Sequence, residues 1–383
     1  MPPVLYLLAL CNLVIGTGVF VLTGILVPIS QSLQVSVAAA GQAMTVYALS
    51  TAVLAPLTLV LTRGWARRNA LTFGMATFGA GNLLCALADG LPLLLAGRVL
   101  MGVGAVFVPV AAGIAVVLVG QARRGRALSL VFLGMSLSYV VGVPIGAWLG
   151  FRFGWQWPIG MVAALSLLSC VALRVLCPAD IEAPSASFRG VWPLLRQREA
   201  FWTLGMTLLY FVAIFIVSSY IGPVMQALLP MSNERLSFTL MLFGLSGVIG
   251  TVLGGWCQDR FGALRSLRAL ICLLGLMMLL LPLTQGHYAP MVVVFVFWGI
   301  AGFGMMAPQQ TRLAALSPVE APLLLSLNSS MLYMGTALGA AIGGAASASL
   351  GFAPLSWVSL PFALAALGTL WISTGKTQHL KTA

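Results

Sequence analysis

A chain of 383 residues with 60% hydrophobic side chains, only 7% charged ones and a mean hydropathy of +1.05 is not built for water. A soluble domain carries about 25% charged residues, so a water-soluble globule is excluded and the solvent is lipid. The net charge of +12 raises nucleic acid as a partner, but the placement of the charges removes it.

Uncharged or nearly uncharged runs recur at the spanning length of about 20 residues. They cover 5–28, 39–61, 70–88, 91–119, 127–149, 157–177, 201–223, 236–257, 266–284, 289–311, 321–347 and 353–374. The first has no basic residue ahead of it and no convincing cleavage site, so it reads as a retained helix and not a signal peptide. The longest polar break, 178–200, holds Pro178, Pro184 and Pro193. It reads as a linker between two six-helix bundles, 1–177 and 201–383, and one option within it is an interfacial amphipathic helix at 188–197. The expected fold is all-α and integral to the membrane, with twelve spans in two pseudo-symmetric halves.

Of the nineteen Lys and Arg, all but Arg98, Arg152 and Arg235 fall on the side shared by both termini. Arg63, Arg67 and Arg68 follow the second span, Arg123, Arg124 and Arg126 the fourth, and Arg260, Arg265 and Arg268 the eighth. By the positive-inside rule both termini are cytoplasmic. The basic balance therefore records membrane orientation.

In the fifth span Gly134, Ser138, Gly142, Gly146 and Gly150 recur every four residues. At 3.6 residues per turn they draw one stripe without side chains, against which another helix can lie. Pro144 sits in that stripe and removes a backbone hydrogen bond, so a bend is expected there. The stripe is either a packing surface or a sliding surface. The eleventh span repeats it at Gly335, Gly339 and Gly343. The loops after spans two and eight, 61–68 and 255–262, also resemble each other, which points to a parallel repeat about an axis normal to the membrane.

These residues resemble the major facilitator superfamily, and more narrowly its twelve-helix drug–proton antiporters in the sugar (arabinose) and purine-ribonucleoside efflux branch. Gly134, Gly142, Val143, Pro144, Ile145 and Gly146 resemble the antiporter signature of the fifth helix. Gly255, Asp259, Arg260 and Gly262 resemble the cytoplasmic loop motif, and Arg98 with Gly102 and Gly104 the fourth-helix motif. The run from Ser36 to Gln42, Ser219 to Pro223, Trp298-Gly299 with Pro308 and Gln310, and Leu327-Asn328 through Gly344 resemble helices of that branch. The resemblance implies export of a sugar, nucleoside or drug-like compound by proton antiport in a bacterial inner membrane. Three departures stand out. The first loop lacks an acid near Arg63, Val19 stands where many relatives carry Glu, and Tyr333 and Thr336 replace two Asn positions.

Polar groups inside spans are costly unless they serve a purpose. Arg98 lies roughly 10 Å along the fourth span. It either hydrogen-bonds carbonyls of the first helix or takes part in coupling or substrate binding. Asn12, Gln42, Tyr220, Gln310, Asn328 and Tyr333 both donate and accept hydrogen bonds, which suits a polyhydroxylated or amide-bearing solute as well as interhelical contact. Trp298 is a stacking platform or a packing residue. Asp259 and Arg260 begin a loop where a carboxylate caps a helix N-terminus and holds the cytoplasmic side shut, with Gly255 and Gly262 shaping it.

Cys11, Cys85, Cys170, Cys177, Cys257 and Cys272 show no paired spacing, and His287 and His379 stand alone. The cysteines are expected as buried hydrophobes, with no metal centre and no cofactor. An integral-membrane enzyme needs a catalytic constellation that the chain does not offer, and no nucleotide-binding loop is present. The expected partners are a small-molecule substrate, the lipid bilayer and protons as coupling ion, with no nucleic acid and a monomeric state. The seven acidic residues, Asp89, Asp180, Glu182, Glu199, Glu234, Asp259 and Glu320, all map to loops or span ends. Coupling through a midplane carboxylate is therefore not expected, which disagrees with the antiport that the resemblance implies. An uncoupled facilitator or an exchanger is the alternative.

Overall fold

The computed structural model describes residues 1–119, 124–179, 191–317 and 320–374. Among them there are helices and no strand. In chain order they are α1 (Pro3–Gly24), α2 (Leu26–Ser32), α3 (Val37–Leu61), α4 (Arg67–Ala86), α5 (Leu91–Gly104), α6 (Phe107–Val119), α7 (Arg124–Leu137), a π-helical turn (Ser138–Gly142), α8 (Val143–Phe153), α9 (Gln156–Leu176), α10 (Val191–Arg196), α11 (Arg198–Ser218), α12 (Ile221–Leu228), α13 (Asn233–Phe261), α14 (Ala263–Leu280) with a 3-10 turn (Leu281–Thr284), α15 (Tyr288–Gly304), α16 (Met306–Leu316), α17 (Ala321–Leu350) and α18 (Leu355–Thr374).

Eleven spans among the described residues are long and apolar enough to cross a membrane. The expected third span is α4, which is 20 residues long. It opens Arg67-Arg68-Asn69 and continues through Gly, Ala and Thr, so it falls short in apolarity and not in helicity.

Four expected spans are interrupted, and the cause is the same each time. α1 gives way to α2, α5 to α6, α11 to α12 and α15 to α16. The third residue of each resumed helix is a proline: Pro28, Pro109, Pro223 and Pro308. Proline has no N–H and its ring clashes with the carbonyl four residues back. In the first turn of a helix neither matters, because those N–H groups have no intrahelical partner. The chain therefore stops and restarts. Ile25 (φ −117°, ψ 19°) and Tyr220 (φ −120°, ψ 27°) take nearly the same conformation at the first break of each half. Pro144 is accommodated by the π-helical turn just ahead of it, with Val143 N–H bonded to Ser138 O, and α8 continues directly.

The chain divides into two compact units, Met1–Ser187 with Ser232–Gly244, and Phe188–Met231 with Leu245–Ala383. In the first, α1 packs on α7, the π-turn and α8, while α4 packs on α5 and α9. In the second, α11 packs on α17 and α18, and α14 on α15 and α18. α1 and α11 are the innermost, buried over 67% and 72% of their apolar windows. Within 188–197, the structure shows the short helix α10. Its Leu194 is fully buried among Ala200, Leu204, Leu313 and Leu324, so it docks into the second unit. Residues 180–190, Arg123 and the tail with Lys376 and Lys381 lie outside the described residues.

Candidate functional site

Lipid tails are as apolar as leucine, so helices in a bilayer associate through close packing and interhelical hydrogen bonds. The stripe of the fifth span shows how. A Cβ on Gly134 would run into Ala9 O, on Gly142 into Thr17 Oγ1, on Gly146 into Val21 Cγ2, and on Gly150 into Ile25 Cγ2 at 2.8 Å. Ser138 lies against Gly16. Every position of the stripe thus faces α1, and the contacts advance along both helices in the same direction. The second unit repeats the arrangement. Gly335, Gly339 and Gly343 of α17 face Leu208 O, Val212 O and Ile216 O of α11. Pro144 is buried beside the first stripe.

Two polar positions in the first unit tie helices to one another. Asn12 is fully buried and its Nδ2 donates to Val131 O of α7 at 2.9 Å, while its Oδ1 has no partner. Arg98 is also fully buried. Its Nη1 donates to Gly18 O of α1 at 3.2 Å, which is the carbonyl contact expected of a packing role. Its Nε and Nη2 have no hydrogen-bond partner, so part of a fixed positive charge is left uncompensated in a desolvated place. Gln42 is half-buried and reaches only its own helix, with Nε2 3.5 Å from Ala38 O. Next to the stripe, Phe20 and Tyr139 stack with ring centroids 4.3 Å apart, and a Cβ on Gly244 would meet Tyr139 O.

The second unit holds a buried, uncharged network. Gln309 Nε2 donates to Thr203 O and to Thr207 Oγ1, both at 2.8 Å. Thr207 Oγ1 donates in turn to Asn328 Oδ1 at 2.6 Å. Three helices, α11, α16 and α17, are joined at this point. Gln309 Oε1 and Thr203 Oγ1 are buried with no partner, which leaves hydrogen-bonding capacity unused. Tyr220 is buried and its hydroxyl donates to Ala340 O at 3.0 Å. Trp298 is buried and stacked on Phe295 at 5.6 Å. Gln310 is exposed and Tyr333 half-buried, while Thr336 Oγ1 donates to Leu332 O of its own helix.

At the end of α13, Asp259 and Arg260 are exposed. The Arg260 guanidinium sits 5.9 Å from the rings of Trp256 and Phe261. Gly262 ends the helix at φ +83° with its N–H bonded to Gln258 O at 2.8 Å, a left-handed geometry that favours glycine. Gly255 has open space where a Cβ would point. Each described carboxylate lies outside a helix or in a terminal turn: Asp89, Glu199, Glu234, Asp259 and Glu320. Asp180 and Glu182 lie outside the described residues. The cysteines are free, and four are buried, but Cys272 is exposed and Cys257 half-exposed, against the expectation for all six. No group of His, Cys, Asp and Glu that could hold a metal occurs among the described residues.

Sequence reasoning passed over Gln309, Thr203 and Thr207. The signal for Gln309 was its place beside Gln310. Neighbouring residues point about 100° apart on a helix, and the phase is set by the restart after Met305.

A family model described as Major Facilitator Superfamily matches residues 8–321. The chain is 32% identical over 340 residues to the inner membrane transport protein YdhP of Escherichia coli K12, covering 88% of this chain and 87% of that protein. It is 28% identical over 355 residues to the uncharacterized MFS-type transporter YbcL of Bacillus subtilis, covering 92% and 91%. Among solved structures it superposes on a bacterial homologue of the human lysosomal transporter Spinster, in an inward-facing and occupied conformation. The TM-score is 0.80 at 17% identity, over 97% of this chain and 96% of that one.

Proposed function

The chain belongs to the major facilitator superfamily, and from that premise we propose that it exports a small uncharged polar solute by alternating access. It is a multi-pass membrane transporter and not an enzyme. The observation that carries the substrate class is the chemistry of the buried polar groups. Asn12, Gln309, Thr207 and Asn328 are neutral donors and acceptors, and no described carboxylate lies in the interior of a span. Such groups match hydroxyls and amides, as in a sugar, a nucleoside or a drug-like compound. Export, and the sugar and purine-ribonucleoside branch, are supported by the motifs around Gly134–Gly146, Ser36–Gln42 and Ser219–Pro223. A bacterial inner membrane fits the printed name of the relative YdhP. Both termini in the cytoplasm follow from the basic residues, and one chain forms the transport unit.

The test is efflux of labelled arabinose and inosine from cells that express the chain, against cells with an empty vector. Faster loss of either solute is expected. Equal loss of both, with the protein present in the membrane, counts against this substrate class. A second reading, an uncoupled facilitator or exchanger, draws on the placement of the carboxylates and on Val19, which is buried where the resemblance implies Glu in many relatives.

A further inference from the structure

Where α4 begins and α9 ends, the first unit opens into a groove of about 640 Å³. Its floor is the loop 64–66 with Asn69, Phe73 and Ala76, and its one charged lining residue is Arg174. Arg174 Nη1 donates to Asn69 Oδ1 at 3.0 Å. That bond fixes the guanidinium on a neutral partner, and among the described residues no acid lines the groove. The adjoining turn adds Arg63, with Arg67 and Arg68 in the first turn of α4, and no acid lies between Leu61 and Arg68. The N-terminus of α4 contributes further positive potential.

The groove heads an apolar seam. α4 and α9 run antiparallel, with Asn69 opposite Arg174, Thr72 O opposite Cys170 Sγ at 3.7 Å, and Gly79 opposite Ser166. Helical spacing carries the face of Ala76 on to Ala80 and Leu83, and that of Arg174 on to Val171 and Leu167. All five apolar residues are exposed. The alanines make the track shallow. At its head Trp65 is 47% exposed and held edge-on to Phe73 at 5.5 Å. Amphipathic indoles at span ends sit at headgroup level.

We propose that this groove binds an anionic glycerophospholipid, with the phosphodiester on Arg174, the glycerol region against Trp65 and an acyl chain along Ala76 and Ala80. A planar fork of N–H donors suits phosphate oxygens. Basic pockets between spanning helices take anionic headgroups in this way. The ammonium of a zwitterionic lipid finds no carboxylate among the described lining residues, and a free phosphate leaves the apolar track unused. The site lies outside the polar clusters of the transport reading and does not depend on it.

The test uses the full chain in mild detergent, with native mass spectrometry and thermal unfolding against dioleoyl phosphatidylglycerol, dioleoyl phosphatidylcholine and inorganic phosphate. Phosphatidylglycerol is expected to bind tightest and to protect most. Arg174→Gln still reaches Asn69 but loses the charge, and weakens phosphatidylglycerol binding about five-fold, the worth of one basic residue at an anionic surface. Gly64→Glu, where a Cβ meets open space, places a carboxylate at the groove. It weakens binding at least as much while leaving lipid-free unfolding unchanged. Unaltered phosphatidylglycerol binding in either folded variant overturns the proposal. So does equal binding of phosphatidylcholine, or equal protection by inorganic phosphate.

Discussion

Thr17 Oγ1 occupies the place that a Cβ on Gly142 would take. Its hydroxyl is turned back onto Leu13 O at 2.8 Å, so α1 presents a methyl and a satisfied hydroxyl to bare backbone. Contacts of this kind follow one another from Gly134 to Gly150, and again from Gly335 to Gly343 on α11. Each unit therefore has one inner helix bedded on a face without side chains. Such a face lets two helices shift without unlocking interdigitated side chains.

Gly142→Ala is expected to lower stability by about 1–3 kcal/mol, the cost of overpacking. Thr17→Ala in the same chain removes the clashing atoms and should restore much of the loss. Thermal unfolding in detergent of the single and double variants reads this. At the next position, Gly146→Leu drives into Val21 and should abolish efflux while protein still inserts. Normal efflux at equal expression would count against a tight seam.

The spans and the stripe were legible because lipid imposes length and apolarity, and because a four-residue spacing has one meaning on a helix. The partner of the stripe was not legible, since a bare face accepts any helix. The restarts at Pro28, Pro109, Pro223 and Pro308 were legible in principle, as prolines near span centres or ends. Pro56 and Pro361, which sit inside unbroken helices, show why proline alone does not decide. Gln310 stands out by resemblance and Gln309 does not, but the helix phase decides which of the two points into the unit.

Arg98 should prove necessary as a charge. Arg98→Ala removes a charge-assisted hydrogen bond to Gly18 O, worth about 1.5–3 kcal/mol, and is expected to stop transport. Arg98→Lys keeps the charge but loses the fork, and should retain more transport than the Ala variant. Efflux at matched expression separates the two. Parental rates in Arg98→Ala would reduce the residue to packing.

Asn328 accepts from Thr207, which accepts from Gln309. Asn328→Ala leaves the Thr207 hydroxyl without its acceptor and should cost about 1–3 kcal/mol. Thr207→Val in the same chain removes the orphaned hydroxyl and should recover part of the loss. Thermal unfolding orders the three, and an Ala variant as stable as the parent would show that the network contributes nothing.

Asp259 lies in the last turn of α13, where the helix dipole disfavours a carboxylate by about 0.3–1 kcal/mol. Its own helix gains nothing from it, and we propose that it serves instead to close the cytoplasmic side. Asp259→Asn should leave unfolding unchanged or slightly raised, lower transport, and shift the population toward cytoplasm-open states. Cysteine-accessibility labelling in a background without the native thiols measures the shift. Unchanged labelling would remove the gate role.

Coupling is the sharpest division between what the family implies and what this chain contains. Proton-coupled exporters commonly rely on a buried carboxylate whose raised pKa lets it trade a proton for substrate near neutral pH. Here Val19 is buried, where the resemblance implies Glu in many relatives, and the described carboxylates all stand at helix ends or outside helices. His287 lies in a loop. Arg98 is inside a span, but a guanidinium is poorly suited to giving up its proton. A proton gradient must therefore act through a peripheral group, with Asp259 and Asp89 as the candidates, or not act at all. Purified protein in liposomes with an imposed pH gradient and labelled substrate decides between these. Uphill accumulation in the parent that is lost in Asp259→Asn or Asp89→Asn marks a peripheral proton antiporter. Equilibration without accumulation marks a facilitator, and acceleration by substrate on the far side an exchanger. Uphill accumulation that survives both substitutions would show that coupling runs through a group other than Asp89 and Asp259.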